Sequence, residues 1–414
     1  MKRNTVMVIL VLVTFFVISF LTNILGAINP NAQADFNLSL SLVGFLPFSI
    51  FLAYGVMSIP AGLLVEKYTE KPVMIGAFIL VFCAALLFSV FPGFRIFLVS
   101  LFTIGLGFAM LQVIINPLLR TSGGEANFAF YSAMAQLVFG LASFLSPQLH
   151  SYLMQNVHSG HATGLAKMLE NMVPAGLKWV SIYWVFTAIT FLMILFITSL
   201  KFPKVELTDE ERIEVGSTLR SLLRNRTVIL FFIGLFAYVG TEQGISYWIS
   251  KFLQTYHGLD PDIQGAHAVS YFWGLMTVGC FLGMFLLKIF DSKKVLFAFA
   301  IMTALVLLTA LFGSMKVAIV AFPVCGFTIS VMYPIIFSLG LNSIPKHHGT
   351  FAGIMCTGIV GGAIVPLVIG GIAQLIGLRF AMLFILVTLG YIFSISIWAK
   401  PIIKNKTVFS EPKI

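Results

Sequence analysis

The feature that most limits what this chain can fold into is a run of about 20 apolar residues, the length an α-helix needs to cross a bilayer, which recurs along nearly the whole sequence. Twelve such spans are expected, at approximately 6–29, 38–64, 73–92, 95–118, 128–155, 176–199, 226–254, 267–290, 294–313, 316–341, 349–376 and 379–399. Composition leads to the same place. Of 414 residues 59% are hydrophobic and only 10% charged, with 42 Phe, and so apolar a chain could not cover a water-facing surface with polar groups. Lys2 and Arg3 precede the first span as they would precede a secretory signal. That span is too long for one and eleven more follow, so it is read as a membrane helix.

The formal net charge of +10 would suggest nucleic acid in a soluble protein, but in a membrane chain the position of each charge matters more than the sum. With a cytoplasmic N-terminus, nineteen Lys and Arg fall on the cytoplasmic side, and six (Arg95, Lys167, Lys178, Lys251, Lys316 and Arg379) on the other. The expectation is a multi-pass protein of the cell (inner) membrane, both termini cytoplasmic, with the lipid bilayer as partner and no nucleic acid. Cys83, Cys280, Cys325 and Cys356 are far apart in apolar stretches, which offers neither a disulfide framework nor a metal site. His158 and His161, in the loop 155–176, have no ligand-like spacing, so no metal is assigned.

The one long polar segment, Lys201 to Arg226, separates two groups of six spans. Within it Thr208, followed by Asp209, Glu210 and Glu211, reads as a capping box at the start of a surface helix. The expected organisation is an N-terminal six-helix bundle (1–200), a cytoplasmic linker (201–225), and a C-terminal six-helix bundle with a short cytoplasmic tail (226–414). A faint repeat supports it: Gly62, Lys67 and Glu70 at the end of span two match Gly283, Lys288 and Asp291 at the end of span eight. Asn116–Pro117 in span four likewise matches Tyr333–Pro334 in span ten. The fold class is all-α integral membrane, twelve transmembrane helices in two six-helix bundles around a central cavity.

A charged residue at mid-membrane costs roughly 2.5 to 3.5 kcal/mol on insertion scales, so each asks for a reason. Glu242 is the one acid at such depth, midway along span seven, with Tyr238, Thr241 and Ser246 at three- and four-residue offsets and Gln243 beside it. A mid-membrane carboxylate can bind a proton, a cation or a sugar hydroxyl, and Glu242 is the candidate coupling residue. Other spans carry amide and hydroxyl stripes: Ser19, Thr22, Asn23 and Gly26 in span one, Gln112 and Asn116 in span four, Ser132, Gln136 and Ser143 in span five, Ser330 and Tyr333 in span ten. Such groups both donate and accept, which suits a ligand with many hydroxyls; the competing use is interhelical hydrogen bonding. Candidate substrate-binding residues are Asn23, Gln112, Asn116, Gln136, Tyr238, Gln243 and Tyr333. No Arg or Lys cluster is available to hold phosphate or carboxylate, which argues against an anionic substrate. Trp248 and Trp273 could stack on a sugar, whereas Trp179, Trp184 and Trp398 fit an interfacial belt.

These motifs resemble the fucose, glucose and galactose permeases of the major facilitator superfamily. The likeness is carried by MYPIIFSLG (Met332 to Gly340), IVGGAIVP (Ile359 to Pro366), FAYVGTEQG (Phe236 to Gly244), SIPAGLLVEK (Ser58 to Lys67) and LQVIINP (Leu111 to Pro117). It implies a twelve-helix sugar permease of the major facilitator fold that works by alternating access, coupled to a proton or, in some relatives, sodium. Where fucose-transporting members carry an Asp in span one and a Glu in span four, this chain has Gly26 and Gln112, and FAFYSAMAQLVFG (Phe128 to Gly140) lacks the Arg and Asn usual near its start. The resemblance thus points to a glucose- or galactose-like sugar in preference to fucose.

The expected function is secondary active transport of a neutral hexose-type sugar by a functional monomer. No cofactor is expected beyond a coupling proton or sodium ion. The alternative is a facilitator or exporter of another small neutral polar compound. An enzyme is not expected, because the spans hold no HExxH, no intramembrane aspartate pair and no Ser/His pair at depth, so no catalytic residue is assigned. A channel would want rings of pore charges or a carbonyl filter, and neither is present.

Overall fold

The computed structural model describes residues 4–123, 128–200, 202, 221–344 and 348–402, and every element among them is helical. The first half holds α1 (Thr5–Thr22, resumed as Leu25–Asp35), α2 (Leu40–Val43 and Phe45–Tyr68), α3 (Glu70–Val90), α4 (Phe94–Gly123), α5 (Phe128–Asn156) and α6 (Ser181–Ser199). The second holds α7 (Arg226–Ser246, resumed as Ile249–His257), α8 (Ala266–Ile289), α9 (Ser292–Phe312), α10 (Met315–Ile329, resumed as Met332–Leu341), α11 (His348–Thr357 and Gly361–Ile376) and α12 (Leu378 to Trp398). Eleven of these are long and apolar enough to cross a membrane among the described residues. The twelfth, α5, packs between α1 and α8, and its Ser, Gln and His residues make it more polar. Positions 203–220 of the polar linker, with the Thr208 capping box, lie outside the described residues.

Local chemistry sets the helix starts. Asn4 accepts from the Met7 N–H at 3.2 Å, Asn225 from Thr227 at 2.9 Å, and Asp291 from Lys293 at 2.9 Å; each satisfies a backbone donor that a helix start leaves free. Three spans expected to be continuous are interrupted by two-residue turns, at Asn23–Ile24, Tyr247–Trp248 and Ser330–Val331. Backbone released from the helical ladder at membrane depth is tolerated only where protein buries it or a cavity wets it. All three breaks lie on helices that carry candidate site residues.

Outward faces are apolar without a covering partner: Leu375, Val387, Leu192 and Val320 are all exposed, as lipid-facing residues should be. Inside, the first half packs around the rings of Phe88, Phe97, Trp179 and Tyr183, with Phe88 and Phe97 stacked at 4.4 Å. Trp179, expected in an interfacial belt, is instead buried in this cluster, and its indole N–H donates to Asp35 Oδ2 at 2.7 Å.

The two halves repeat one device. Lys71, in the first turn of α3, donates through Nζ to the Thr198 and Leu200 carbonyls at the end of α6, at 2.9 and 2.6 Å. Lys293, in the first turn of α9, does the same to Ile397 and Ala399 at the end of α12, at 3.2 and 2.8 Å. A cation on the carbonyl end of a helix satisfies orphan acceptors and opposes the helix dipole. The symmetry read from the glycine and proline positions thus extends to side-chain contacts.

Candidate functional site

The halves meet along two seams, α2 against α11 and α5 against α8. Polar contacts across them gather at the end of the bundle that holds the α1–α2, α7–α8 and α11–α12 connections. There Asn29 donates to the Tyr247 carbonyl at 3.1 Å, Tyr247 Oη to the Val43 carbonyl at 2.6 Å, Ser41 Oγ to Gln374 at 2.5 Å, and Gln148 to Ser270 Oγ at 3.2 Å. Gly26, just past the α1 break, lies so close to Ser246 and Tyr247 that a Cβ there would be 3.2 Å from the Ser246 carbonyl carbon and 3.3 Å from the Tyr247 Cα. Only a glycine lets the two chains approach this closely without strain.

Below this seal lies Glu242. The helical spacing of four brings Tyr238 onto it, and Tyr238 Oη donates to Glu242 Oε2 at 2.7 Å. Gln243 Nε2 donates to the other oxygen, Oε1, at 3.2 Å. Tyr333 meets the Tyr238 ring edge-on with centroids 5.6 Å apart, and Phe337 stacks on Tyr333 at 5.8 Å. The carboxylate is therefore held by two side chains of α7, with the rings of α10 packed behind Tyr238. Thr241, expected on the same face, turns away and bonds Thr388 on α12 at 2.7 Å.

In the facing half, Gln112 and Thr22 lie beside the buried hydroxyl of Tyr54 on α2. Sequence reasoning passed over Tyr54, because one tyrosine in an apolar run gives no periodic signal. Phe51, one turn earlier, stacks on Tyr54 at 6.2 Å and borders Gly362, which Gln243 also approaches. A path of contacts therefore joins Gln112 to Glu242 across the α2–α11 seam. Asn23, at the α1 break, is buried, and its Nδ2 donates to Ser143 Oγ at 2.8 Å and Ser19 Oγ at 3.3 Å. Ser19 and Ser143 share a further bond at 2.6 Å. This set ties α1 to α5, and the Asn23 amide group is committed to it. The side chain of Asn116 lies outside the described residues.

Across the α5–α8 seam, Gln136, Phe139, Gly140, Trp273, Met276, Thr277 and Cys280 line a small cleft. Gln136 is exposed to it, and a Cβ at Gly140 would collide with Thr277. The Cys280 thiol donates to the Ser330 carbonyl at the α10 break, 3.3 Å away. Of the two tryptophans considered for stacking, Trp273 lines the cleft. Trp248 is fully buried, with its indole N–H on the Pro366 carbonyl at 3.3 Å, and it has no free face. The structure thus brings Gln112, Gln136, Tyr238, Glu242, Gln243 and Tyr333 to the interior between the halves. Their chemistry is one carboxylate among hydroxyls, amides and aromatic rings, with no basic group among them.

Comparison with known proteins follows the same lines. The family model described as Major Facilitator Superfamily matches residues 10–359. The glucose/galactose transporter of Brucella abortus is 29% identical over 387 residues, which cover 91% of this chain and 90% of that one. The L-fucose-proton symporter of Escherichia coli is 27% identical over 379 residues, 88% of this chain and 86% of the relative. The crystal structure of the E. coli fucose:proton symporter (N162A) superposes with a TM-score of 0.66 at 23% identity, over 95% of this chain and 98% of that chain. With a bilayer-spanning, all-helical architecture and a family model that accounts for most of its length, the chain belongs to the Major Facilitator Superfamily.

Proposed function

We propose that the protein is a cation-coupled carrier of a neutral hexose-type sugar, glucose- or galactose-like, that works by alternating access between an N-terminal bundle (1–200) and a C-terminal bundle (226–414) joined by the linker 201–225. The observation that carries the proposal is the environment of Glu242: among the described residues, a single membrane-depth carboxylate, bonded by Tyr238 and Gln243, in an interior furnished with amides and rings and no cation. Hydroxyl-rich, uncharged ligands match that donor and acceptor set, and rings offer flat apolar faces to a sugar. The names of the Brucella and E. coli relatives, aligned over most of both chains, support the substrate class. Gln112 and Gln136 on one side, and Tyr238, Gln243, Tyr333 and Trp273 on the other, are the proposed contacts. Asn23 supports them by fixing α1 against α5.

Glu242 is the proposed coupling residue. A carboxylate that takes its proton from the outside, releases it to the cytoplasm in the inward-facing state and returns outward without it links sugar movement to the proton gradient. With both termini cytoplasmic, as the positive-inside bias supports, the sealed end is extracytoplasmic and the conformation is inward-facing. Labelling of a cysteine at position 216 by an impermeant reagent in intact cells would refute that orientation. Calorimetry with the purified protein tests the substrate class: a free hexose should bind, and its 6-phosphate should bind at least tenfold more weakly, for want of a basic partner. Equal affinity, or preference for the phosphate, would refute the reading.

A further inference from the structure

We propose that His150, Asp262 and Asn31 form a protonation-dependent latch between the extracytoplasmic ends of the two halves, so that opening to the outside requires this pair to be broken. The inference rests on alternating access but not on which compound is carried. His150, near the end of α5, is fully buried, and neither ring nitrogen has a hydrogen-bond partner among the described residues. Its Nε2 lies 3.6 Å from Asp262 Oδ1, too long for a hydrogen bond but within ion-pair distance. Asn31, from the second segment of α1, donates to the same carboxylate oxygen at 2.8 Å. One carboxylate of the second half is thus gripped by two side chains of the first.

The position of Asp262 is fixed by its own turn. Asp260 Oδ1 accepts from the backbone N–H groups of Asp262 at 2.8 Å and Ile263 at 3.1 Å, at the start of the turn Pro261–Gly265 that leads into α8. The charged and titratable groups on the surrounding elements are Asp35 on α1, bonded to Trp179; Lys178 before α6, within electrostatic reach of Asp262; Asp260 in the turn; Lys251 and His257 on the tail of α7; and His267 on α8. Among the described residues, Asp262 is the one at ion-pair distance from His150.

A neutral imidazole shut in this seam leaves both nitrogens unpaired, which is unfavourable. The imidazolium is instead matched by a carboxylate, in a place where exclusion of water strengthens the attraction. Removing one partner strands the other charge. Protonation of the imidazole thus favours the latched, inward-facing state, and loss of that proton loosens it. This proton acts on the conformational equilibrium, separately from Glu242.

The test uses the full-length chain in lipid vesicles with spin labels at Met168 and Leu375, 73% and 86% exposed, one on the extracytoplasmic side of each half. Distances are read by pulsed electron resonance without sugar, so the outcome does not depend on the transport reading. Asp262→Asn and His150→Gln should each raise the long-distance population about tenfold at pH 6. The wild type should show a rise between pH 5.5 and 8 that both variants lack; because His257 and His267 remain in the His150→Gln variant, loss of the response there assigns it to His150. If His150→Gln fails to reconstitute, Asp262→Asn and Asn31→Ala decide: the first should lose the pH response, and the second should shift the distances and keep it. Unchanged distances in the variants, or an intact pH response in Asp262→Asn, would overturn the proposal.

Discussion

Replacing Gly26 by alanine should trap the carrier away from its inward-facing state. In the sealed conformation the added methyl would lie inside the contact distance of the Ser246 carbonyl oxygen, 3.2 Å from its carbon and 3.3 Å from the Tyr247 Cα. These are backbone atoms of a packed helix end and cannot rotate away. Overpacking of this kind costs about 1 to 3 kcal/mol, and only the sealed state bears the cost, because the contact exists only while the halves meet. The gain in helix propensity on leaving glycine, about 1 kcal/mol, is common to both states and cancels. The outward-open population should therefore rise roughly 5- to 150-fold. A reporter cysteine at Ser246, in a background lacking the four native cysteines, gives the assay, because it is 3% exposed under the seal. Its rate of alkylation by an impermeant maleimide in intact cells should rise by that factor. Gly76→Ala is the control, since nothing lies within 4 Å of a Cβ there, and it should leave the rate unchanged. Equal rates in Gly26→Ala and the parent would show that the halves do not close on Gly26.

Glu242→Gln should abolish uphill accumulation while sparing sugar exchange, which needs no net ion movement; full accumulation under both proton and sodium gradients would place coupling elsewhere. Alanine at Gln112 or Gln136 should weaken sugar binding by about 1 to 3 kcal/mol if a buried partner is left unpaired, whereas Asn23→Ala should lower thermal stability as well, by releasing Ser19 and Ser143. Calorimetry and melting curves separate the two patterns, and unchanged affinity in all three would leave these amides as interhelical ties. Lys71→Ala and Lys293→Ala should each destabilise the fold by about 0.5 to 1.5 kcal/mol, and additively, since they sit in different halves; a large effect from only one would deny them an equivalent role.

The helices were legible because spanning a bilayer demands a long apolar run, and such runs are local in sequence. Tyr238 beside Glu242 was legible for a similar reason, since a four-residue offset on a helix is a contact. Their grouping with Gln243 and Tyr333 extended that reading across one helix boundary. The breaks at Asn23, Tyr247 and Ser330 were not legible, because apolar runs continue through them and only the tertiary surroundings reward the interruption. Tyr54 gave no periodic signal. The partnership of His150 and Asp262 joins residues more than a hundred positions apart, each of which reads alone as an ordinary helix-end residue. Trp248 and Trp179 went the other way: an aromatic side chain looks available in sequence, and only packing shows that its faces and its N–H are already occupied.

The most direct test of the central claim is counterflow in proteoliposomes: the purified protein is reconstituted with an excess of unlabelled glucose or galactose inside, and labelled sugar is supplied outside without any ion gradient. A carrier with a binding site that alternates between the two sides should draw labelled sugar in transiently, above its equilibrium level, and Glu242→Gln should retain that overshoot. Labelled hexose that only equilibrates, or fails to enter liposomes containing the protein, would contradict the account.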